Sequence, residues 1–307
     1  MTTSRSIPTE AAAEVLQYTT IQGLREAMRS ARKAGKSLGL VPTMGYLHAG
    51  HIAICETARR ECDLVVVSIF VNPLQFAPSE DLESYPRDLD RDLGILSQTG
   101  VDAVFTPSVE EMYPETMETW VSVPSLSQTL EGKSRPTHFQ GVATVVLKLF
   151  SIVQPDIAYF GQKDGQQVAV VRRMVRDLQL PLEVHVVPTV RETDGLAMSS
   201  RNVYLDPPAR ASALALSRAL FAGRALLEAG ERRGAAVQQA MEAVLTGDSA
   251  VRMDYAAVVQ ADSLVPQDRV QGRTMLAVAA YVGRARLLDN LMLDVGPSGV
   301  RDLLTPS

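Results

Sequence analysis

From residue 38 onward, short and largely apolar runs alternate with longer segments of helical periodicity. Apolar runs of this kind, bounded by turn residues, are typical of parallel strands buried on both faces. The predicted strands are 38–41, 64–71, 101–105, 157–160 and 182–187. The predicted helices are 51–61, a segment with Leu89, Leu93 and Leu96 on one face, 142–153 and 166–178. This alternation predicts an α/β fold with a doubly wound parallel sheet.

The pattern changes past Val190. Two Ala-Leu-rich helices are predicted at 207–230 and 234–245, followed by strand-like segments at 253–259, 274–282 and 285–295. Segments this close in sequence can pair antiparallel. We therefore predict two domains: a Rossmann-like domain over 1–189, whose residues 1–15 form a loose tail, and a smaller α+β domain over 190–307.

Composition restricts the function classes. Of 307 residues, 46% are apolar and 21% charged, which indicates a soluble globular protein. The formal charge of −5 gives no basic field for a nucleic acid, and no apolar stretch is long enough to span a membrane. The two cysteines, Cys55 and Cys62, cannot form a disulfide framework for a chain of this size. We expect a cytoplasmic protein without nucleic-acid or membrane partners.

The segment 42–51 carries two histidines, His48 and His51, where a predicted strand passes into a predicted helix. Free N–H groups at a helix start attract phosphate, and Gly45 and Gly50 let backbone approach a ligand. Such a pair could instead cap the helix, bind zinc or have no function. Zinc needs three or four ligands, and no metal-ligand pattern is visible elsewhere in the chain.

Other polar loops follow predicted strands or lie at the domain boundary. Lys163 follows the strand at 157–160, Gln75 follows the strand at 64–71, and the segment 198–202 offers two hydroxyls and a guanidinium suited to polyphosphate. Each loop alone could be an ordinary connection. The run Gly132-Lys133-Ser134 is not a phosphate loop, because the required glycine five positions earlier is Ser127.

Taken together, these stretches resemble the pantothenate synthetases, ATP-dependent ligases of the nucleotidyltransferase group. The resemblance runs from about residue 20 to about 295. Its most specific parts are 41–51, 68–76, 135–142 and 195–202, with 287–290 near the end.

The resemblance implies a two-step reaction, in which pantoate and ATP give pantoyl adenylate and pyrophosphate, and the amine of β-alanine then gives pantothenate and AMP. It implies catalytic roles for His48, His51, Lys163, Ser199, Ser200 and Arg201, with the position of His51 described as the proton donor. The implied ATP-binding positions are Met44, Gly45, His48, Gly50, His51, Gly161, Lys163, Asp164, Val190, Met198, Ser199, Ser200 and Arg201.

The resemblance also implies that Gln75 and Gln167 hold pantoate. Arg135 and His138 lie on a loop that borders the site, and Tyr85 is a further lining residue. Mg²⁺ is expected on the ATP phosphates without a protein metal cage, the smaller domain is expected to close over the site, and a homodimer is expected.

Four positions depart from the family pattern: Tyr46, Ala49, Gln162 and Gly165. The family commonly has an aromatic residue at the position of Gly165, so the shape of the pocket there stays open, and restoring an aromatic should tighten substrate binding if the pocket is merely loosened. These departures keep two alternatives open: a duplicated copy that binds nucleotide or pantoate without turnover, and a same-fold enzyme that adenylates another acid.

Overall fold

The computed structural model describes residues 15–78 and 80–304. The predicted tail therefore lies almost wholly outside the described residues. The strands of the first sheet are β1 (Leu16–Tyr18), β2 (Leu38–Thr43), β3 (Leu64–Ile69), β4 (Ala103–Phe105), β5 (Ile157–Gly161) and β6 (Glu183–Val187). The helices in this part are α1 (Ile21–Lys33), α2 (Ala49–Glu61), α3 (Leu89–Leu96), α4 (Val109–Met112), α5 (Pro124–Ser127), α6 (Glu131–Ser134), α7 (His138–Val153) and α8 (Gly165–Asp177).

The first sheet confirms the predicted doubly wound parallel architecture. Its strand order is β1-β4-β3-β2-β5-β6, and every pairing is parallel. From β2 the chain builds outward through β3 to β4, and it then returns to place β5 on the other side of β2. The winding direction therefore reverses between β2 and β5. Ligands of open α/β sheets bind outside the carboxyl ends of the strands at such a reversal.

The second part holds an antiparallel sheet and two long helices, as predicted. These elements are α9 (Pro207–Glu228), α10 (Gly234–Thr246), β7 (Val251–Gln260), β8 (Gly272–Val282), β9 (Ala285–Gly296) and β10 (Gly299–Asp302). The strand order is β10-β9-β8-β7, with antiparallel pairing throughout.

Strand β8 is buried on both faces, which explains how the two sheets are held together. Leu276 and Val278 pack into the core formed with α9 and α10, whereas Met275 and Ala277 join the core of the parallel sheet. The second part thus lends side chains to the first core. The boundary near residue 190 stays a prediction; β6 ends at Val187, just before it.

The main differences from the predicted elements lie at helix and strand ends. Helix α7 begins at His138 rather than 142, and β4 begins at Ala103 rather than 101. Elements β1, α1, α4, α5, α6 and β10 were not predicted. None of the described helices has the length and apolar character needed to cross a bilayer. Cys55 and Cys62 are both free and buried.

Candidate active site

A cavity of about 230 Å³ lies at the carboxyl ends of β2 and β5, where the winding reverses. The loop after β2 and the 3-10 turn at 162–164 after β5 both border it. The cavity is lined by nearly all residues that the sequence predicted for the site. These are Met44, His48, Gly50, His51, Gln75, Tyr85, Arg135, His138, Gly161, Lys163, Asp164, Gln167, Val190, Met198, Ser199, Ser200 and Arg201.

His48 and His51 cap helix α2 with their Nδ1 atoms. His48 Nδ1 accepts from the backbone N–H of Gly50 at 3.2 Å, and His51 Nδ1 accepts from the backbone N–H of His48 at 3.3 Å. A neutral imidazole whose Nδ1 accepts a hydrogen bond carries its proton on Nε2. The capping interactions therefore leave an Nε2–H donor on each of two rings that line the cavity.

Burial keeps both rings neutral at physiological pH. It lowers the pKa of His48 to about 4, with the nearby charge of Lys163 adding to the effect. It lowers the pKa of His51 to about 3, with His48 adding to the effect. The expected proton donor His51 is thus a hydrogen-bond donor before the substrates bind.

We expect the free energy of unfolding to fall as the pH is lowered from 7 to 5. Burial lowers the pKa values of His48, His51 and His138 to between about 3 and 4, so the unfolded chain binds more protons in this range. Each imidazole should contribute on the order of 1 kcal/mol to the loss. Urea unfolding at pH 7 and pH 5 measures it. His51→Asn should reduce the pH dependence; an unchanged slope would contradict this account.

The loop before the histidines is fixed from behind by Asp92. This carboxylate is 1% exposed and accepts from the backbone N–H groups of Tyr46 at 2.6 Å and Leu47 at 2.8 Å. Both Gly45 and Tyr46 have positive φ, 83° and 50°. A Cβ on Gly45 would lie 3.0 Å from Asp92 and 2.9 Å from Ile69. Gly45, predicted to bind ATP, does not line the cavity and instead allows this turn.

Lys163 and Asp164 occupy the 3-10 turn after β5. Lys163 Nζ lies 3.3 Å from Asp164 Oδ1. Burial would raise the pKa of Asp164, but the charge and hydrogen bond of Lys163 outweigh it and lower the pKa below its usual value. An ammonium thus stands at the carboxyl end of β5 beside the imidazoles at the end of β2.

Arg135 and His138 border the cavity and hold the backbone of Gln75. His138 Nδ1 lies 3.0 Å from the carbonyl oxygen of Gln75, and Arg135 Nη2 donates to the same oxygen at 3.3 Å. Arg135 also pairs with Glu80 at 2.6 Å. The Gln75 side chain reaches Met44 Sδ at 3.0 Å. Arg135 and His138 therefore hold the backbone of Gln75 at the cavity wall.

Arg201, Ser199 and Ser200 also line the cavity. Arg201 forms two hydrogen bonds with Asp81, at 2.9 and 3.0 Å, and its guanidinium lies over the ring of Tyr85. Ser200 Oγ lies 3.3 Å from the carbonyl oxygen of Tyr46. The guanidinium therefore has an internal carboxylate partner, which an incoming phosphate would have to replace.

The pocket is not loosened at Gly165. A Cβ on this residue would lie 2.9 Å from Met275 Sδ, 3.1 Å from Gln162 Nε2 and 3.2 Å from Asn290 Cγ. Side chains from β8 and β9 already occupy the space that an aromatic ring would need. The missing ring is replaced by a close approach of the second sheet.

We therefore expect Gly165→Tyr to destabilise the protein by about 1–3 kcal/mol and to weaken substrate binding, because the ring must displace Asn290 and Met275. Urea unfolding and apparent KM values measure both effects. The same substitution at Gly94 is the control, since a Cβ on that helical glycine meets no atom within 4 Å. Tighter substrate binding in the Gly165→Tyr variant would show instead that the pocket is loosened.

Sequence reasoning missed three kinds of supporting residue. Asp92 lies three residues after Leu89 and four before Leu96, and this position on the apolar face of the helix was the available signal. Glu80 and Asp81 follow the Gln75 loop as an adjacent acidic pair. Asn290 lies more than a hundred residues from Lys163, and sequence reasoning noted it only within the segment 287–290.

Comparisons with known proteins identify the family of the chain. The family model described as pantoate-beta-alanine ligase matches residues 16–292. A pantothenate synthetase of Moorella thermoacetica is 55% identical, with 92% of this chain and 99% of that protein aligned. A pantothenate synthetase of Pelotomaculum thermopropionicum is 51% identical over 91% of this chain and 99% of that protein.

Two solved structures are also similar. The pantothenate synthetase of Thermus thermophilus has a TM-score of 0.87 and 51% identity, covering 92% of this chain and 100% of that one. The pantoate-beta-alanine ligase of Francisella tularensis, complexed with beta-gamma ATP and beta-alanine, has a TM-score of 0.75 and 33% identity, covering 91% and 97%. With these similarities along nearly its whole length, the chain belongs to the pantoate–β-alanine ligase family.

Proposed function

We propose that this chain condenses pantoate and β-alanine to pantothenate through a pantoyl adenylate. A carboxylate oxygen of pantoate attacks the α-phosphorus of ATP, and pyrophosphate leaves. The amine of β-alanine then attacks the acyl carbon, and AMP leaves with the bridging oxygen. The observation that carries the proposal is the convergence of two neutral imidazoles and an ammonium on one cavity at the ends of β2 and β5.

Electrostatic stabilisation is the first task of the site in this reaction. Negative charge grows on the α-phosphate and on the departing pyrophosphate. The Nε2–H groups of His48 and His51 and the ammonium of Lys163 are donors fixed before reaction, so they stabilise this charge without reorganising. Ser199, Ser200 and Arg201 supply further donors across the cavity. Arg201 can reach phosphate once it leaves Asp81.

Nucleotide contacts extend along both sides of the crevice in this proposal. Met44, Gly50 and Gly161 offer backbone next to the phosphate donors, and Asp164, Val190 and Met198 border the same cavity. The backbone N–H of Met198 pairs with the carbonyl of Val190 at 3.0 Å, which holds these two residues side by side.

Pantoate binding is assigned to the two glutamines, Gln75 and Gln167, both of which line the cavity. Amides can bond a hydroxyl and a carboxylate without adding charge. Met275, Ala277 and Leu288 of the second sheet also line the cavity. These apolar side chains support the proposal that the second part keeps water from the acyl adenylate.

Mg²⁺ is proposed to arrive with the triphosphate. The described residues contain no group of three or more His, Cys, Asp or Glu side chains that could hold a metal ion. Asp164 is a cavity carboxylate able to meet a hydrated ion on the phosphates. Mg²⁺ keeps water ligands and needs few protein oxygens, so this donor set suits an ion that phosphate carries. When bound, it would neutralise part of the triphosphate charge.

Pantoate-dependent exchange of labelled pyrophosphate into ATP tests the proposed function. We expect exchange with pantoate and ATP in the absence of β-alanine. No exchange with any acid would indicate a copy that binds without turnover. Exchange that depends on another acid would indicate a different adenylating enzyme.

A cytoplasmic homodimer is proposed from the family resemblance. Two free, buried cysteines are in keeping with a reducing compartment. Trp120 is 40% exposed on the segment between α4 and α5, where a large aromatic side chain is available for a partner surface. Sedimentation equilibrium should give twice the chain mass, and a single-chain mass at micromolar concentration would contradict the dimer.

A further inference from the structure

Two adjacent residues of β9, Asp289 and Asn290, reach the active-site cavity from the second sheet. They are 3% and 4% exposed, and both line the cavity. The proposed mechanism gives them no role. Buried polar side chains normally have defined hydrogen-bond partners, and those of Asp289 and Asn290 lie on two different segments of the chain.

Asn290 is bonded to the turn that carries Lys163. Its Nδ2 donates to the carbonyl oxygen of Gln162 at 3.0 Å and to that of Lys163 at 2.8 Å. Its Oδ1 accepts from the side chain of Gln162. Asn290 thus holds the peptide groups on both sides of Lys163. The glycine at position 165 permits this contact, because a Cβ there would lie 3.2 Å from Asn290 Cγ.

Asp289 is bonded to the hairpin formed by residues 191–197, which leads to Ser199–Arg201. It pairs with Arg191 through two hydrogen bonds, at 2.6 and 3.0 Å. Arg191 in turn donates to the carbonyl oxygen of Gly195 at 3.1 Å and bridges to Ala197 across the hairpin. This hairpin runs directly into Ser199–Arg201. Asp289 also accepts from the backbone N–H of Asn290 at 2.8 Å, which ties the two contacts together.

We propose that Asp289 and Asn290 are positioning residues that set the separation between Lys163 and the Ser199–Arg201 segment across the triphosphate site. The inference rests on the proposed adenylation reaction for its catalytic consequence, although it concerns nucleotide binding directly. Neither residue needs to touch the nucleotide. Strand β9 instead holds both segments, so a change in this strand alters the positions of the groups that bind the phosphates.

Asn290→Asp is the most informative variant. It keeps the shape of the side chain and the acceptor for Gln162, but it replaces the donor with an oxygen that faces two carbonyl oxygens. We expect the affinity for α,β-methylene ATP, measured by calorimetry without pantoate, to fall by at least about tenfold. The apparent KM for pantoate should change by less than about threefold, since the Asn290 side chain bonds neither Gln75 nor Gln167.

A double-mutant cycle tests whether Asn290 acts through Lys163. In a Lys163→Ala background, Asn290→Asp should cause little further loss of nucleotide affinity. If the two substitutions instead act independently, so that their fold losses of nucleotide affinity multiply in the double variant, the inference is overturned. A folded Asn290→Asp protein with parental affinity would also overturn it. A merely structural residue would lower Tm without this coupling.

Asp289→Asn supplies a second route if Asn290→Asp does not fold. Its matched control is Asp302→Asn, which removes a carboxylate from the neighbouring strand β10, where Asp302 pairs with Arg224 at 2.9 Å away from the cavity. We expect lower nucleotide affinity for Asp289→Asn only. Equal affinities of the two variants would overturn the inference. Absence of pantoate-dependent exchange in the parent would instead refute the proposed function and leave the binding comparison valid.

Discussion

Replacing His51 with alanine should lower the rate of pantoyl adenylate formation by at least about a hundredfold, which corresponds to about 2.7 kcal/mol of transition-state stabilisation. The ring is half-buried and neutral, and its Nδ1 is occupied by the backbone N–H of His48. Its Nε2–H is therefore fixed in one direction before ATP arrives. Single-turnover adenylation, followed by pyrophosphate release, measures the effect.

The alanine variant also loses the helix cap, which is worth about 1 kcal/mol of stability. His51→Asn separates the two roles, since its amide oxygen can accept the backbone N–H of His48 while no donor reaches the position of Nε2. We expect this variant to regain stability but not activity. His185→Ala is the control, because that histidine lies on β6, away from the cavity lining. An active His51→Asn enzyme would remove the ring from the mechanism.

Lys163→Met should have an effect of similar size, at least about a hundredfold on adenylation, because the ammonium borders the cavity and its charge acts on both imidazoles. Methionine keeps the length and apolar stem of the side chain, so packing is largely preserved. Loss of the ammonium should also raise the pKa of His48, whose value it helps to lower. Adenylation kinetics and NMR titration of the imidazole measure the two consequences.

Lys148→Met is the matched control for this variant. Lys148 lies on α7 with its ammonium 5.1 Å from the centre of the Tyr113 ring, and it does not line the cavity. Its substitution removes the same charge from the chain without changing the site. Equal losses in the two lysine variants would show that net charge, rather than position, accounts for the effect.

The sequence predicted where the site lies because parallel strands share one edge. Apolar runs identified β2, β3 and β5, and the loops after them had to meet at the carboxyl ends of those strands. The order of the strands in the sheet did not follow from any local pattern. It depends on pairings between distant segments, such as Leu40 with Ala158. The side chains of these segments give no local signal for the register of the pairing.

The alternatives for the histidine pair were not mutually exclusive. Capping of α2 and an interaction with phosphate use different nitrogens of the same ring, so the helix cap is the reason that the donor is fixed. Sequence spacing could indicate either role but could not show that the two are compatible.

Long-range polar contacts account for most of what could not be predicted. Asp81 with Arg201 and Asn290 with Lys163 join segments more than a hundred residues apart, and either side chain could equally have been solvated. Gly165 shows the same limit. The absence of an aromatic residue at position 165 left the shape of the pocket open. Only the position of β8 and β9 shows that their side chains fill the space beside Gly165.

Transfer of oxygen-18 from pantoate tests the central claim most directly. If the cavity activates the carboxylate as an acyl adenylate, pantoate labelled in both carboxylate oxygens should deliver one labelled oxygen to AMP during a complete reaction with ATP and β-alanine. The other label should remain in the amide of pantothenate. Label in inorganic phosphate or pyrophosphate, or pantothenate formed with unlabelled AMP, would contradict attack at the α-phosphorus and the account built on this site.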